Sequence, residues 1–239
     1  MDIDIKSFSE QRQQADVCVL FSYWRFLQYY NPKLSFHDFC RFYILYINGE
    51  CNILNNSSLV DYINKEISVQ KNNPIHANKD VDVECKLLLS SNLAEYIKNL
   101  NPLPLEILTY AVFHCYCQIV QNNIRGLSHI NSLHYILKQK NDIPFSIPNS
   151  DVHFTEKQKE ITQHIDELLQ GIIDFLILLF NTSRGGHTII LVKHKNELYI
   201  GDPNVKKFKK LSEYIALPLS PKFDVTNYQS ITECLIIKK

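Results

Sequence analysis

The sequence predicts one α+β domain, in which a helical N-terminal part packs on a C-terminal antiparallel sheet. Up to about residue 171 the apolar residues recur mostly at helical spacing, and from residue 172 onward they form short runs separated by turn residues. No internal repeat is evident in the chain. We therefore expect a single domain over residues 1–239, with a helical lobe over about 1–171 and a sheet lobe over about 172–239.

The first helix is the most clearly patterned element of the helical part. Its apolar residues follow the spacing i, i+3, i+4, i+7 and i+10, at Val17, Leu20, Phe21, Trp24 and Leu27. Pro32 is expected to end it, because proline cannot continue a helix. A second helix is expected to begin at Ser35 and to end at Asn48-Gly49. We expect further helices over 59–67, 87–100, 105–120 and 132–140, and loops over 69–82 and 141–151.

The last predicted helix leads directly into the predicted sheet. It covers 155–171, with apolar residues on one face and Gly171 as its end, since glycine favours the left-handed conformation that closes helices. The strands then follow as the apolar runs IIDFLILLF, HTIILVK, ELYIG and CLIIK. Short segments with turn residues separate these runs: NTSRGG follows IIDFLILLF, HKN follows HTIILVK, and DPN follows ELYIG. Such short turns indicate antiparallel strands.

The composition excludes several classes of protein. Lys and Arg total 25 and Asp and Glu total 25, so the formal net charge of zero gives no global attraction to nucleic acid or to anionic membranes. The most apolar stretch, 172–180, contains Asp174 and is only about half of the roughly 20 residues that a membrane span needs. We therefore expect no nucleic-acid partner and no stable membrane insertion.

The strands HTIILVK and ELYIG bring a histidine and an aspartate together. If the tight turn between them is centred on His194-Lys195, His187 lies directly opposite Asp202. Residues that oppose each other in this way have Cβ atoms about 4.5–5.5 Å apart, which lets a carboxylate accept a hydrogen bond from an imidazole N–H. A turn shifted by one residue would leave a diagonal contact instead.

A histidine that is oriented by a carboxylate needs a nucleophile to complete a catalytic relay. Cys18 is the candidate, because it stands at the start of the first helix, where unpaired backbone N–H groups and the helix dipole favour thiolate over thiol. Gln13 or Gln14 could donate an amide N–H to a developing oxyanion, together with the backbone N–H of Cys18, and we prefer Gln14. The predicted catalytic residues are thus Cys18, His187 and Asp202.

The other cysteines and histidines give no comparable site. The seven cysteines are odd in number and lack the spacing of a disulfide framework, which favours reduced thiols. His114, Cys115 and Cys117 would not share one face of the helix predicted there, and no second Cys/His pair with zinc-finger spacing follows. We therefore expect neither a metal ion nor another cofactor.

Two blocks of the sequence resemble a known family. The segments QADVCVLFSYWRFL and GGHTIILVKHKNELYIGDPN resemble the papain-like cysteine peptidases, specifically the YopT-type group of bacterial effector proteases. In that group a cysteine opens a helix that carries a tryptophan about two turns later, as Cys18 and Trp24 do here. A glycine or serine followed by histidine opens a strand in that group, matched by Gly186-His187, and the acid lies in an Asp-Pro-Asn turn, matched by Asp202-Pro203-Asn204.

The resemblance implies a papain-like fold and a cysteine protease that acts on a host protein. Bacterial effector deamidases of the same fold are resembled nearly as well and hydrolyse a glutamine side-chain amide, also through a thioester. A third possibility is a host-protein-binding module that keeps the scaffold without catalysis. The N-terminal segment MDIDIKSFSEQRQQ has no apolar core of a signal peptide, so we expect delivery without a Sec-type signal and action in the host cytoplasm.

Overall fold

A computed structural model describes eight parts of the chain, and the fold is given for these parts alone. They are residues 18–51, 129–138, 141, 143–147, 152–182, 185–204, 206–213 and 231–238. Within them, helices combine with an antiparallel sheet, which confirms the predicted α+β class. None of the helices in these parts is long and apolar enough to span a bilayer.

The described elements are four α-helices, one short 3₁₀ helix and six strands. The helices are α1 (Cys18–Tyr30), α2 (Phe36–Cys51), α3 (His129–Lys138) and α4 (Gln158–Gln170), and the 3₁₀ helix is Leu211–Glu213. The strands are β1 (Val152–Thr155), β2 (Ile173–Thr182), β3 (Gly185–His194), β4 (Glu197–Gly201), β5 (Lys209–Lys210) and β6 (Ile231–Lys238). They form one sheet in the order β1-β6-β2-β3-β4-β5, with every neighbouring pair antiparallel.

Contacts along the backbone divide the chain into two compact units. One comprises residues 1–34 with 126–239, and the other comprises residues 35–125. The first unit holds α1 and the whole described sheet, and α2 belongs to the second. The single domain with a division near residue 171 stays a prediction.

The predicted helix boundaries were correct in some places and wrong in others. The first helix ends before Pro32 as expected, but α2 continues through Asn48-Gly49 to Cys51. A glycine inside a helix costs only about 1 kcal/mol relative to alanine, so the remaining helical residues can offset it. The helices predicted over 59–67, 87–100 and 105–120, and the loop over 69–82, lie outside the described residues.

The region before α4 contains a strand that the sequence pattern did not predict. Residues 152–155 form β1, which pairs with β6, so the expectation of a helix from Thr155 was wrong. The Thr155 hydroxyl donates to Glu160 Oε2 at 2.6 Å and accepts the Lys157 N–H at 3.1 Å, which holds the turn that separates β1 from α4. The predicted end at Gly171 is confirmed, with φ of 79° and its N–H donating to the Leu168 carbonyl at 3.0 Å.

Strand β2 is buried on both faces, which explains its continuous apolar sequence. On one face, Leu176 and Leu178 join an apolar cluster with α4 and the neighbouring strands. On the other, the Phe175 ring centre lies 5.9 Å from that of Phe26 in α1. The further members of the cluster are Ile161, Ile165, Leu168, Ile173, Ile189, Leu191, Ile200, Cys234 and Ile236. The sheet therefore gives α1 a rigid surface to pack on.

We expect Leu178→Ala to lower the free energy of unfolding by about 2–5 kcal/mol, because it opens a cavity in this cluster. Leu178 is 0% exposed, whereas Leu169, at the end of α4, is 44% exposed. The matched substitution Leu169→Ala should change the free energy of unfolding by no more than about 0.5 kcal/mol. Urea denaturation of both variants measures the difference, and equal effects would contradict the described core.

Candidate active site

The turn between β3 and β4 is centred one residue later than the sequence analysis expected. His194 pairs with Glu197, so Lys195 and Asn196 form the two-residue turn. Both have positive φ, 48° and 62°. A two-residue turn with this backbone matches the twist of the strands, and asparagine accepts positive φ more readily than most residues. The turn expected at His194-Lys195 was therefore wrong by one position.

This shift replaces the direct opposition of His187 and Asp202 by a diagonal contact. Ile190 pairs with Gly201, so Asp202 follows the last residue of β4. Moving the turn by one residue slides the partner strand by two positions, which keeps each side chain on its expected face. His187 Nε2 and Asp202 Oδ1 are 3.1 Å apart. The predicted imidazole–carboxylate pair therefore forms despite the different register.

The Asp202 carboxylate is held by its own turn. The side chain is buried, and Oδ1 accepts the backbone N–H of Asn204 at 2.8 Å. This hydrogen bond closes the Asx turn that Asp-Pro-Asn sequences favour. The same oxygen faces the His187 ring. The aspartate therefore serves both the turn and the histidine, and the turn fixes where the negative charge lies.

Helix α1 presents its first residue, Cys18, to His187. Cys18 is partly exposed, and its thiol and the His187 ring are hydrogen-bond partners. One turn later on the same face, the Ser22 hydroxyl donates to the Thr188 carbonyl at 3.3 Å. This bond fastens α1 to β3 at the residue next to His187. The start of the helix therefore lies against the start of β3.

The charge state of His187 follows from these neighbours. Burial lowers the pKa of His187, but hydrogen bonds to Asp202 and Cys18, together with the electrostatic interaction with both groups, raise it to about 9. The ring is thus protonated at neutral pH. Since Nε2 faces the carboxylate, Nδ1 is the nitrogen left to exchange a proton with the thiol.

Cys40 and Cys234 lie in different surroundings from Cys18. Cys40 and Cys234 are fully buried, and burial raises the pKa of both thiols. A buried thiol in apolar surroundings is chemically inert, because only the thiolate is a strong nucleophile. Of Cys18, Cys40 and Cys234, Cys18 is the one that combines partial exposure with a histidine partner.

Some predicted site residues lie outside the described residues. Gln14 and Gln13 are among them, so the oxyanion donor stays a prediction. His114, Cys115 and Cys117 also lie outside. In the parts of the chain that are described, no three His, Cys, Asp or Glu side chains gather closely enough to hold a metal ion.

Sequence reasoning missed two polar residues that border the site, Ser22 and Arg25. Both lie on the face of α1 that carries Cys18, four and seven residues after it. Both are fully buried. The available signal was their spacing, because residues four and seven positions after Cys18 share its face of the helix.

The described side chains lie in the order thiol, imidazole, carboxylate, which is the order required for nucleophilic attack on an acyl group. Comparisons with protein-family models, with curated proteins and with solved structures found no match.

Proposed function

We propose that this protein is a papain-like thiol hydrolase, and specifically a cysteine protease with a Cys18, His187 and Asp202 triad. The observation that carries the proposal is the His187 ring, which has the Asp202 carboxylate 3.1 Å from Nε2 and the Cys18 thiol as a second hydrogen-bond partner. The cysteine at a helix start, the histidine in β3 and the aspartate directly after the neighbouring strand β4 also support a papain-like arrangement.

The proposed reaction begins with the Cys18 thiolate attacking an amide carbonyl. The protonated His187 ring then donates its proton to the leaving amine, and a thioester remains on Cys18. Water, deprotonated by the now neutral His187, hydrolyses the thioester, and the sulfur leaves as thiolate. The pKa of His187, about 9, supports this cycle, because the ring holds its proton at neutral pH until the amine leaves. A positive ring beside the sulfur also favours the thiolate.

Two further groups would assist the proposed reaction. Asp202 orients the ring and stabilises its protonated form. Gln14 and the backbone N–H of Cys18 are proposed to donate to the oxyanion that forms when the carbonyl is attacked. Because donors aimed at that oxygen commonly contribute about 10²–10³-fold in rate, Gln14 would be a substantial part of the machinery.

The proposed substrate is a protein of a host cell. The resemblance to YopT-type effectors supports this setting, with delivery by a route that needs no Sec-type signal and action in the host cytoplasm. A reducing compartment suits the proposed chemistry, because it keeps a catalytic thiolate from forming disulfides. The same triad would also hydrolyse a glutamine side-chain amide, so deamidation of a host protein is the alternative outcome of the tests below.

Selective alkylation of Cys18 tests the proposal without a known substrate. At about pH 6 an ordinary thiol with a pKa of about 8.5 is less than about 1% thiolate and hardly reacts with iodoacetamide. We expect Cys18 to react at least about 10-fold faster than the other six cysteines, because its thiolate is paired with the His187 imidazolium. Peptide mass spectrometry measures all seven rates in one experiment.

The matched control is His187→Gln, which removes the imidazolium but leaves Cys18 at the helix start. If the ion pair activates the sulfur, this variant should lose the fast reaction at about pH 6 while its circular dichroism stays that of the wild type. Equally fast alkylation in the variant would mean that exposure alone explains the reactivity of Cys18. That result would contradict the hydrolase proposal and favour a non-catalytic binding module.

A further inference from the structure

Arg25 is a buried cation on the helix that carries Cys18. It is 0% exposed, and its guanidinium lies over two aromatic rings, 4.9 Å from the centre of Phe21 and 5.3 Å from that of Phe208. Aromatic faces attract a cation, and this attraction is strongest where water is excluded. Phe21 belongs to the same helix, but Phe208 belongs to the segment that follows Asp202.

The same segment supplies a polar contact to this guanidinium. Arg25 Nη2 donates to the Lys206 carbonyl at 3.4 Å. Burial lowers the pKa of Arg25, and the charge of Asp202 opposes this, leaving it at about 10. The guanidinium is therefore protonated at neutral pH. It lies close enough to the carboxylate for their charges to interact, and a buried carboxylate needs such a neighbour because desolvation disfavours its ionised form.

Gly201 allows this segment to fold back onto its own strand. A Cβ placed at Gly201 would come 2.6 Å from Phe208 Cε1, closer than such atoms can approach. The Phe208 ring therefore lies against the backbone of the residue that precedes Asp202. Residues 202–204 and 206–208 thus make up a return segment, with the aspartate at one end and the ring that covers Arg25 at the other.

We propose that Arg25 is a positioning residue, which holds the Asp202 carboxylate on His187 by binding the return segment to the helix of Cys18. The inference rests on the proposed function and adds one more side chain, Arg25, to it. The face of α1 would then set the whole site: Cys18 contacts the ring, Ser22 holds the Thr188 carbonyl, and Arg25 holds the return segment that begins with Asp202. Loss of Arg25 would let the carboxylate move or become protonated, which weakens its support of the imidazolium.

If Arg25 had only a structural role, its substitution would affect the alkylation rate independently of Asp202. A double-mutant cycle separates the two roles, because residues that act through one another are not additive. The four proteins are the wild type, Arg25→Met, Asp202→Asn and the double variant. The readout is the rate of Cys18 alkylation by iodoacetamide at about pH 6, which reports the thiolate–imidazolium pair without any substrate.

We expect Arg25→Met to slow this alkylation about 10-fold relative to the wild type, and to slow it less than about 2-fold when Asp202 is already asparagine. Arg25→Lys keeps the charge but loses the planar fork, so it should recover part of the rate. If the methionine variant does not fold, the lysine variant replaces it in the same cycle, with a smaller slowing that should again vanish beside Asp202→Asn.

Additive slowing in the double variant, or no slowing in the single one, would overturn the role of Arg25 alone, provided that wild-type Cys18 reacts selectively. If wild-type Cys18 reacts no faster than the other cysteines, the triad itself is wrong and the positioning role is wrong with it. The two failures are therefore told apart by the wild-type rate, which is measured in the same experiment.

Discussion

Replacing Cys18 with alanine should abolish hydrolysis, with a fall in turnover of at least about 10³-fold, as expected when a catalytic nucleophile is removed. The thiol forms the covalent bond to the substrate in the proposed reaction, and alanine cannot. The experiment compares wild-type protein and Cys18→Ala after incubation with a host-cell lysate under reducing conditions. Mass spectrometry of the lysate proteins then finds every change that depends on the Cys18 sulfur.

The kind of change identifies the reaction. New chain ends that require Cys18 mean proteolysis, whereas a gain of about one dalton at a glutamine without cleavage means deamidation. Both reactions would require Cys18, because both pass through a thioester. Cys40→Ala is the matched control, because Cys40 is fully buried in α2 and is not one of the proposed catalytic residues. This variant should keep its activity within about 3-fold of the wild type. Changes that persist at full rate in Cys18→Ala would contradict the proposal.

The part of the site that follows from local sequence could be predicted. The position of Cys18 at a helix start depends on the apolar spacing of its own helix, and the hairpin that carries His187 and Asp202 depends on two apolar runs and a short turn. The detail that failed was the turn position. It depends on which residues accept positive φ, and Lys195 with Asn196 met that requirement.

The features that could not be predicted, strand β1 and the burial of Arg25, depend on contacts with residues far away in the sequence. Strand β1 has only four residues and is held by β6, which lies at the other end of the chain and inserts between β1 and β2. Nothing local to 152–155 indicates that partner, because the residue pattern of a short strand does not specify which other strand it pairs with. Arg25 is similar: an arginine in a helix suggests an exposed position. Its burial is explained by the segment after Asp202, which lies far away in sequence.

Asp202→Asn should lower turnover by about 10²–10⁴-fold, because the effect of an orienting carboxylate in a relay is of this order. Asparagine can still accept the Asn204 N–H, so the turn has a means to persist. Its neutral amide, however, no longer stabilises the charged His187 ring. The fold should be checked by urea denaturation, since removing one member of a buried charged pair also costs stability.

The pH dependence distinguishes this role of Asp202 from a purely structural one. A histidine holds its proton below its pKa, so wild-type kcat/KM should fall as the pH rises through about 9, where His187 loses the proton that the leaving amine needs. Without the Asp202 carboxylate the pKa of His187 is lower, so the fall should begin at lower pH in Asp202→Asn. Asp166→Asn, at an exposed position of α4, should leave the profile unchanged. A variant with reduced rate but an unshifted alkaline limb would mean that Asp202 supports the turn and not the imidazolium.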